Sequence, residues 1–255
     1  MKANECITDR VEQSTWNEAQ EWEREFWLRE QKNLARHGKN QAWRALALLG
    51  LMDKYRGDDD NHWWAGLFDN YSFLPTQIEN AIEVGCGPYT NMRLVQRRCV
   101  PKHLFLSDPL MRTYIRFKRT FLREMYKAGA CILDDHPLES LPFKDGYFDL
   151  AVMINVLDHV QDAHACMDSL VRILSPGGYV VIGQDLTDDS DLRAHPDGMR
   201  TGHPITLNES WFSSYLECFD PIIKKTLSRA EGRTPQWHYG TLAFVGVKKG
   251  LSAAK

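Results

Sequence analysis

Ala81-Ile82-Glu83-Val84-Gly85-Cys86-Gly87-Pro88 is the stretch that decides the fold of this chain. An apolar, β-branched run ends in an acid and then a Gly-x-Gly turn. Such a run suits a strand buried on both faces of a parallel sheet. The glycines allow a sharp turn and a close approach of backbone to ligand. The pattern predicts a helix over about Thr90–Arg98, whose first amides and positive dipole end face whatever lies over the turn. A nucleotide-type site is therefore expected here. In the dinucleotide-binding pattern a third glycine would fall at position 90, which is Thr90. That glycine serves close helix–strand packing, so its absence counts against NAD.

Outward from this stretch, strands and helices alternate, the signature of a parallel sheet covered on both faces. The patterning predicts strands near Ile78–Val84, His103–Ser107, Ala130–Leu133, Phe148–Ile154 and Tyr179–Gln184. It predicts helices near Thr90–Arg98, Met111–Ala128 and Ala163–Leu174, with Ser175-Pro176-Gly177-Gly178 as a turn. A further helix is expected at Asn208–Cys218 with Asn208 as N-cap. Pro221–Ser228 and Thr241–Lys248 then read as two strands joined by a polar loop.

Residues 1–75 have a different character. Trp16, Ala19, Trp22, Phe26 and Trp27 step by three and four, an amphipathic helix with an aromatic stripe over Thr15–Arg36. A turn at His37–Asn40, a second helix at Gln41–Tyr55 and an acidic turn at Gly57–Asn61 follow. We read 1–75 as an N-terminal helical cap on the acceptor side and 76–255 as the sheet domain.

At 255 residues and 43% hydrophobic content, the chain can bury one substantial core. A formal net charge of −3 supplies no broad basic surface for sequence-independent nucleic-acid binding. No apolar leader opens the chain, and Leu46–Met52 is too short to span a bilayer. The six cysteines form no C-x-x-C pair, so neither zinc nor a disulfide framework is expected; a cytoplasmic setting is.

Asp108 falls 21 residues after Gly87, at the end of the second predicted strand. There it can accept from both hydroxyls of a ribose, or cap the helix after Pro109. Further on come Glu139-Ser140-Leu141-Pro142-Phe143-Lys144-Asp145-Gly146-Tyr147-Phe148-Asp149 and Arg172-Ile173-Leu174-Ser175-Pro176-Gly177-Gly178. With Glu83-x-Gly85-x-Gly87, this series resembles the motifs of class I S-adenosylmethionine-dependent methyltransferases of the small-molecule branch.

The resemblance implies a Rossmann-like, doubly wound α/β sheet of seven strands with the last antiparallel. It also implies S-adenosylmethionine as cofactor, with Glu83, Gly85 and Gly87 at its methionine end and Asp108 at the ribose. Leu138 and Glu139 are expected near the adenine and Asn155 near the sulfonium. Extra residues between Asp134-Asp135 and Leu138 leave open which acid reaches the adenine amine. Asn155-Val156-Leu157-Asp158 lacks the Asn/Asp-Pro-Pro-Tyr of enzymes that methylate nucleobase amines. Trp16, Glu23, Trp27, Pro109, Leu110 and Tyr114 are similar to methyltransferases of polysaccharide and natural-product pathways. A small-molecule or saccharide acceptor and O-methylation are therefore expected. N-methylation of a natural-product intermediate, a nicotinamide-dependent oxidoreductase and a non-catalytic binding subunit are the alternatives.

A hydroxyl acceptor needs a base, and imidazole suits neutral pH. His159, just past the fourth strand, and His203, before the helix at Asn208, are the candidates. Each can equally be an ordinary packed or solvated histidine. Trp63, Trp64, Tyr71 and Tyr114 are expected on the acceptor side. Asp58–Asn61 and Asp188–Asp191 lack the glycine and distal glutamate of a calcium loop and read as solvated turns. Arg112, Arg116, Lys118, Arg119 and Arg123 make a basic face, solvated or meeting a phosphate-bearing acceptor.

Overall fold

The computed structural model describes residues 7–37, 59–194 and 199–250. The expected turn at 38–40 and helix at 41–55 lie outside the described residues. Strands β1 (Gln77–Val84), β2 (Val100–Ser107), β3 (Ile132–Asp134), β4 (Phe148–Ile154), β5 (Leu174–Leu186), β6 (Phe219–Ser228) and β7 (Gly240–Lys248) form one sheet. Its order is β3-β2-β1-β4-β5-β7-β6. The pairs from β3 to β5 are parallel, and β7 runs antiparallel to both β5 and β6. This is the seven-stranded arrangement expected.

The helices are α1 (Gln13–His37), α2 (Asp59–Leu67), α3 (Met92–Val95), α4 (Met111–Tyr114) and α5 (Phe121–Lys127), then α6 (Ala163–Ile173), α7 (Asp189–Ala194), α8 (Met199–Gly202) and α9 (Ser213–Leu216). Side chains alternate across each strand. Ile82, Val84, Ala151, Met153, Val180 and Ile182 pack on one face with the residues of α6. Ala81, Leu150, Val152, Ile154 and Val181 pack on the other beneath α2 to α5. A sheet buried on both faces needs the near-continuous apolar runs these strands carry.

Several local expectations change in the structure. The helix expected from Thr90 is the single turn α3, and that from Met111 breaks into α4 and α5. Arg119 takes a left-handed φ of 61° at the break, and the Thr120 hydroxyl then accepts from the Arg123 amide as a new N-cap. The helix expected from Asn208 is a 3-10 turn, Glu209–Phe212, followed by α9, with Asn208 capping as anticipated. β5 begins at Leu174, so Ser175–Gly178 belongs to its irregular start; Gly177 at φ 80° marks the bend. Asp59–Asn61 open α2 rather than a turn. Asp188 accepts from the Ser190 and Asp191 amides at the start of α7.

Strand order reverses between β1 and β4, the place where open parallel sheets bind ligands. Val84 pairs with Ser107 and with Met153, so Gly85, Asp108 and Asn155 emerge at one carboxyl edge. No helix among the described residues is long and apolar enough to cross a membrane. The five described cysteines are free thiols.

Candidate active site

The crevice at this edge holds a cavity of about 210 Å³. Its floor is the glycine turn. Gly85 and Gly87 have φ of 61° and 55°, a region costly for any residue with a Cβ. A Cβ on Gly85 would stand 2.5 Å from Val156 Cγ2, while one on Gly87 would meet nothing within 4 Å. Gly85 is thus required by the loop after β4, and Gly87 leaves open room over the turn.

Glu83 supports this turn from behind, and its carboxylate does not face the cavity. It is almost wholly buried and accepts from the Asn91 amide (3.0 Å), Asn91 Nδ2 (2.9 Å), the Met92 amide (3.3 Å) and the Thr90 hydroxyl. Burial pushes its carboxyl up against those four donors. Thr90, at the third-glycine position, thereby anchors the acid. Asn61 of α2, read in the sequence as part of a solvated turn, is buried and donates to the carbonyls of Tyr89 and Thr90 at 3.0 Å each.

Asp108 lines the cavity. Its carboxylate accepts from the Gly87 amide at 3.0 Å and the Leu110 amide at 2.8 Å. Burial and then the charge of Glu23 push it up to about 7, against those amides and His159. Leu138, Glu139 and Asn155 also line the cavity. Glu139 accepts from the Gln161 amide at 2.9 Å, and Asn155 Oδ1 from the Asp185 amide at 3.0 Å. Neither acid of the pair at 134–135 lines it: Asp134 accepts from Ser107 and His136, and Asp135 pairs with Arg112.

His159, in the 3-10 turn after β4, faces the cavity; His203 does not line it but packs against His159, ring centroids 4.4 Å apart and tilted by 49°. His203 Nδ1 lies 2.7 Å from Asp158 Oδ2, and His159 Nε2 lies 3.6 Å from the same oxygen. Gln184 donates to Asp158 Oδ1 at 3.0 Å. Burial pushes the Asp158 carboxyl up, but the two histidines and Gln184 outweigh it and hold the acid well below the usual range. His159 Nδ1 reaches the Gly202 carbonyl at 2.8 Å. Burial pushes His159 down, yet Asp158 and Glu23 together raise it.

The aromatic expectations divide. Trp64 lines the cavity and Trp63 does not. Tyr71 is fully buried with an unpaired hydroxyl, a core residue rather than one at the mouth. Tyr114 is also fully buried and donates to Glu23 Oε1 at 3.2 Å. The first helix enters the site directly: Trp16, Gln20, Glu23 and Trp27 of α1 line the same cavity as the glycine turn. Arg233 lines it as well, held at 2.9 Å by Asp185.

This lining suits an adenosyl sulfonium better than a pyrophosphate. Two carboxylates, Asp108 and Glu23, stand by the glycine turn, with apolar walls at Leu138, Ile154 and Val156. A diol or a cation gains from those acids, and a phosphate would be repelled.

Residues 82–182 match the family model described as a methyltransferase domain. The match runs from β1 into β5. The chain shares the fold of the class I S-adenosylmethionine-dependent methyltransferases. An uncharacterized methyltransferase from Schizosaccharomyces pombe is 31% identical over 111 residues, covering 41% of this chain and 39% of its own length. Three further curated relatives are matched over 15–37% of their lengths, so the chain spans well under half of each. The N-methyltransferase NodS from Bradyrhizobium japonicum, crystallised with S-adenosyl-L-homocysteine, aligns with a TM-score of 0.55. It is 19% identical, over 83% of this chain and all of NodS. The [4+2]-cyclase SpnF aligns equally well at 0.55, with 16% identity, 74% of this chain and 80% of SpnF.

Gly85→Ala should destabilise the fold by about 1–3 kcal/mol, combining left-handed backbone strain with the Val156 contact. Adding Val156→Ala should recover the contact part and leave the backbone part. Urea unfolding of Gly85→Ala, Val156→Ala and the double variant checks this; strictly additive costs would refute the contact.

Proposed function

We propose that this protein transfers a methyl group from S-adenosylmethionine to a hydroxyl of a small-molecule or saccharide acceptor. The observation that carries the reading is a convergence on one cavity. The glycine turn of β1, the acid ending β2 and His159 after β4 meet there, with His203 packed behind His159 on Asp158. When bound, the cofactor supplies a methyl group made electrophilic by its sulfonium. Asp108 would accept from the ribose hydroxyls, Gly85 and Gly87 would lie under the methionine part, Leu138 and Glu139 would flank the adenine, and Asn155 would border the reacting centre.

The protein's own chemistry is then alignment and proton removal. We assign the base to His203. With Nδ1 donating to Asp158, its neutral ring carries a lone pair at Nε2. His159 spends Nδ1 on the Gly202 carbonyl and turns Nε2 towards Asp158, with Glu23 3.6 Å from Nδ1. That setting holds a cation and balances the charge of the acids around it. The segment 1–75 acts as the cap, with Trp64 and the stripe of α1 walling the cavity. N-methylation is the second reading, favoured by the NodS alignment; an amine acceptor would use the same alignment without His203. The SpnF alignment makes turnover, not fold, the deciding observable.

S-adenosylhomocysteine should raise the melting temperature, by about 2.7 kcal/mol of stabilisation at a hundredfold excess over its Kd. NAD at equal concentration should do little. The opposite ranking in a thermal-shift assay would sink the reading.

Binding should also depend on pH through Asp108. The ionised carboxylate accepts from the diol, and Asp108 is pushed up to about 7. Affinity for S-adenosylhomocysteine should thus be level above that pH and fall below it, tending to about tenfold per pH unit. Calorimetry across pH 5.5–8.5 reads this; in Asp108→Ala the affinity is lower and the acid limb is gone.

With a hydroxyl acceptor in hand, His203→Ala should lower turnover by roughly 100- to 10,000-fold with little change in cofactor affinity. Near-wild-type turnover would leave alignment alone as the catalytic device.

A further inference from the structure

Glu23 belongs to the first helix, far in sequence from every motif of the methyltransferase domain, yet its carboxylate stands inside the cavity. The residues α1 sends there, Trp16, Gln20, Glu23 and Trp27, are spaced four, three and four apart and so share one helix face. The face is held by bonds from Trp16 Nε1 (3.1 Å) and Gln20 Nε2 (3.3 Å) to the His159 carbonyl. Placing a carboxylate on it is costly unless donors meet the charge. Trp27 Nε1 and the Tyr114 hydroxyl each donate to Oε1 at 3.2 Å. Oε2 has a longer contact, 3.6 Å, with His159 Nδ1, which already serves the Gly202 carbonyl. The Glu23 side chain is 17% exposed, and its charge acts on the neighbouring carboxylate of Asp108.

Asp108 and Glu23 border one cavity with His159 beside them, while Arg233 in the same lining is drawn to Asp185; a ligand rich in donors suits that pair of acids. We propose that Glu23 is a cofactor-binding residue that shares the ribose hydroxyls with Asp108, so that bound cofactor latches α1 over the crevice. The proposal rests on the methyltransferase reading and extends it. Asp108 already accepts from two backbone amides, which limits what it offers a diol. A second carboxylate gives each hydroxyl its own acceptor and places a donor between two like charges. It also revises the expectation that the N-terminal segment serves the acceptor alone.

Calorimetry with S-adenosylhomocysteine on the full chain tests this. Glu23→Gln keeps an acceptor for Trp27 and Tyr114 while removing the charge. It should raise Kd by roughly 10- to 100-fold, the range for hydrogen bonds to a charged group. A 3′-deoxy analogue of S-adenosylhomocysteine should bind the wild type more weakly, and the gap between analogue and parent should narrow in Glu23→Gln. A second measurement needs no variant. Hydrogen exchange of the α1 amides in the wild type should slow when S-adenosylhomocysteine is added. Unchanged Kd in a folded Glu23→Gln, or unchanged α1 exchange on ligand binding, overturns the proposal. Failure of the wild type to bind S-adenosylhomocysteine at all would instead sink the methyltransferase reading.

Discussion

Burying the Glu83 carboxylate under the first crossover imposes a cost that the chain offsets with the amides of Asn91 and Met92 and the side chains of Thr90 and Asn91. Those amides open α3, so the acid fixes where the helix turn begins and how closely it returns to β1. Only four residues, Gly85–Pro88, lie between the strand and Tyr89, and two of them take left-handed backbone angles. The glycine turn is therefore a consequence of the acid as much as of the glycines. From it follow the bond of the Gly87 amide to Asp108 and the contact of Gly85 with Val156, which join the ends of β1, β2 and β4.

Four buried acids stand along this edge, and their partners separate their roles. Glu83 is satisfied by the crossover. Asp158 is held low by two histidines, whereas Asp185 pairs with Arg233 at 2.9 Å and accepts from the Thr241 hydroxyl at 2.8 Å. Asp108 has backbone amides rather than a hydrogen-bonded cation, and another acid, Glu23, acts on it. It is the one pushed up to about 7. An acid left short of positive charge in a cavity marks where a ligand's donors belong. The same contrast sorts the histidines. His203 is oriented by an acid, whereas His159 is raised by Asp158 and then Glu23.

The strands were legible because their signals are local. β4 coincides with its apolar run, and β1, β2, β6 and β7 lie within a few residues of theirs. The glycine turn, Asp108 and the residues at 138–139 were legible because their spacing is fixed by the parallel strands that carry them. Helix lengths were less so. Nothing local in Met111–Ala128 shows that Thr120 will cap a second helix after a left-handed Arg119. Tyr71 and Tyr114 were read as site aromatics, but an aromatic near a strand end serves the core equally well, and burial decided it. Glu23 was visible in the resemblance to methyltransferases of polysaccharide and natural-product pathways, with no role attached to it. Its i,i+4 relation to Trp27 was the available signal, and its destination depended on how α1 docks, which no local pattern encodes.

Docking of α1 is also where the energetics differ from the rest of the fold. The sheet is held by two apolar clusters that cover both faces. α1 presents a mostly charged surface to solvent and reaches the domain through Ala19, a few aromatic rings and single hydrogen bonds to the His159 carbonyl. An element with so little buried apolar area belongs to the low end of local stability. A ligand that touches it then contributes a large share of its hold by mass action. The wall of the crevice is thus supplied by a helix with a single fully buried residue, Ala19, among those described. If bound cofactor reaches Glu23 as proposed, occupancy of the cavity and docking of α1 over it are two descriptions of one equilibrium.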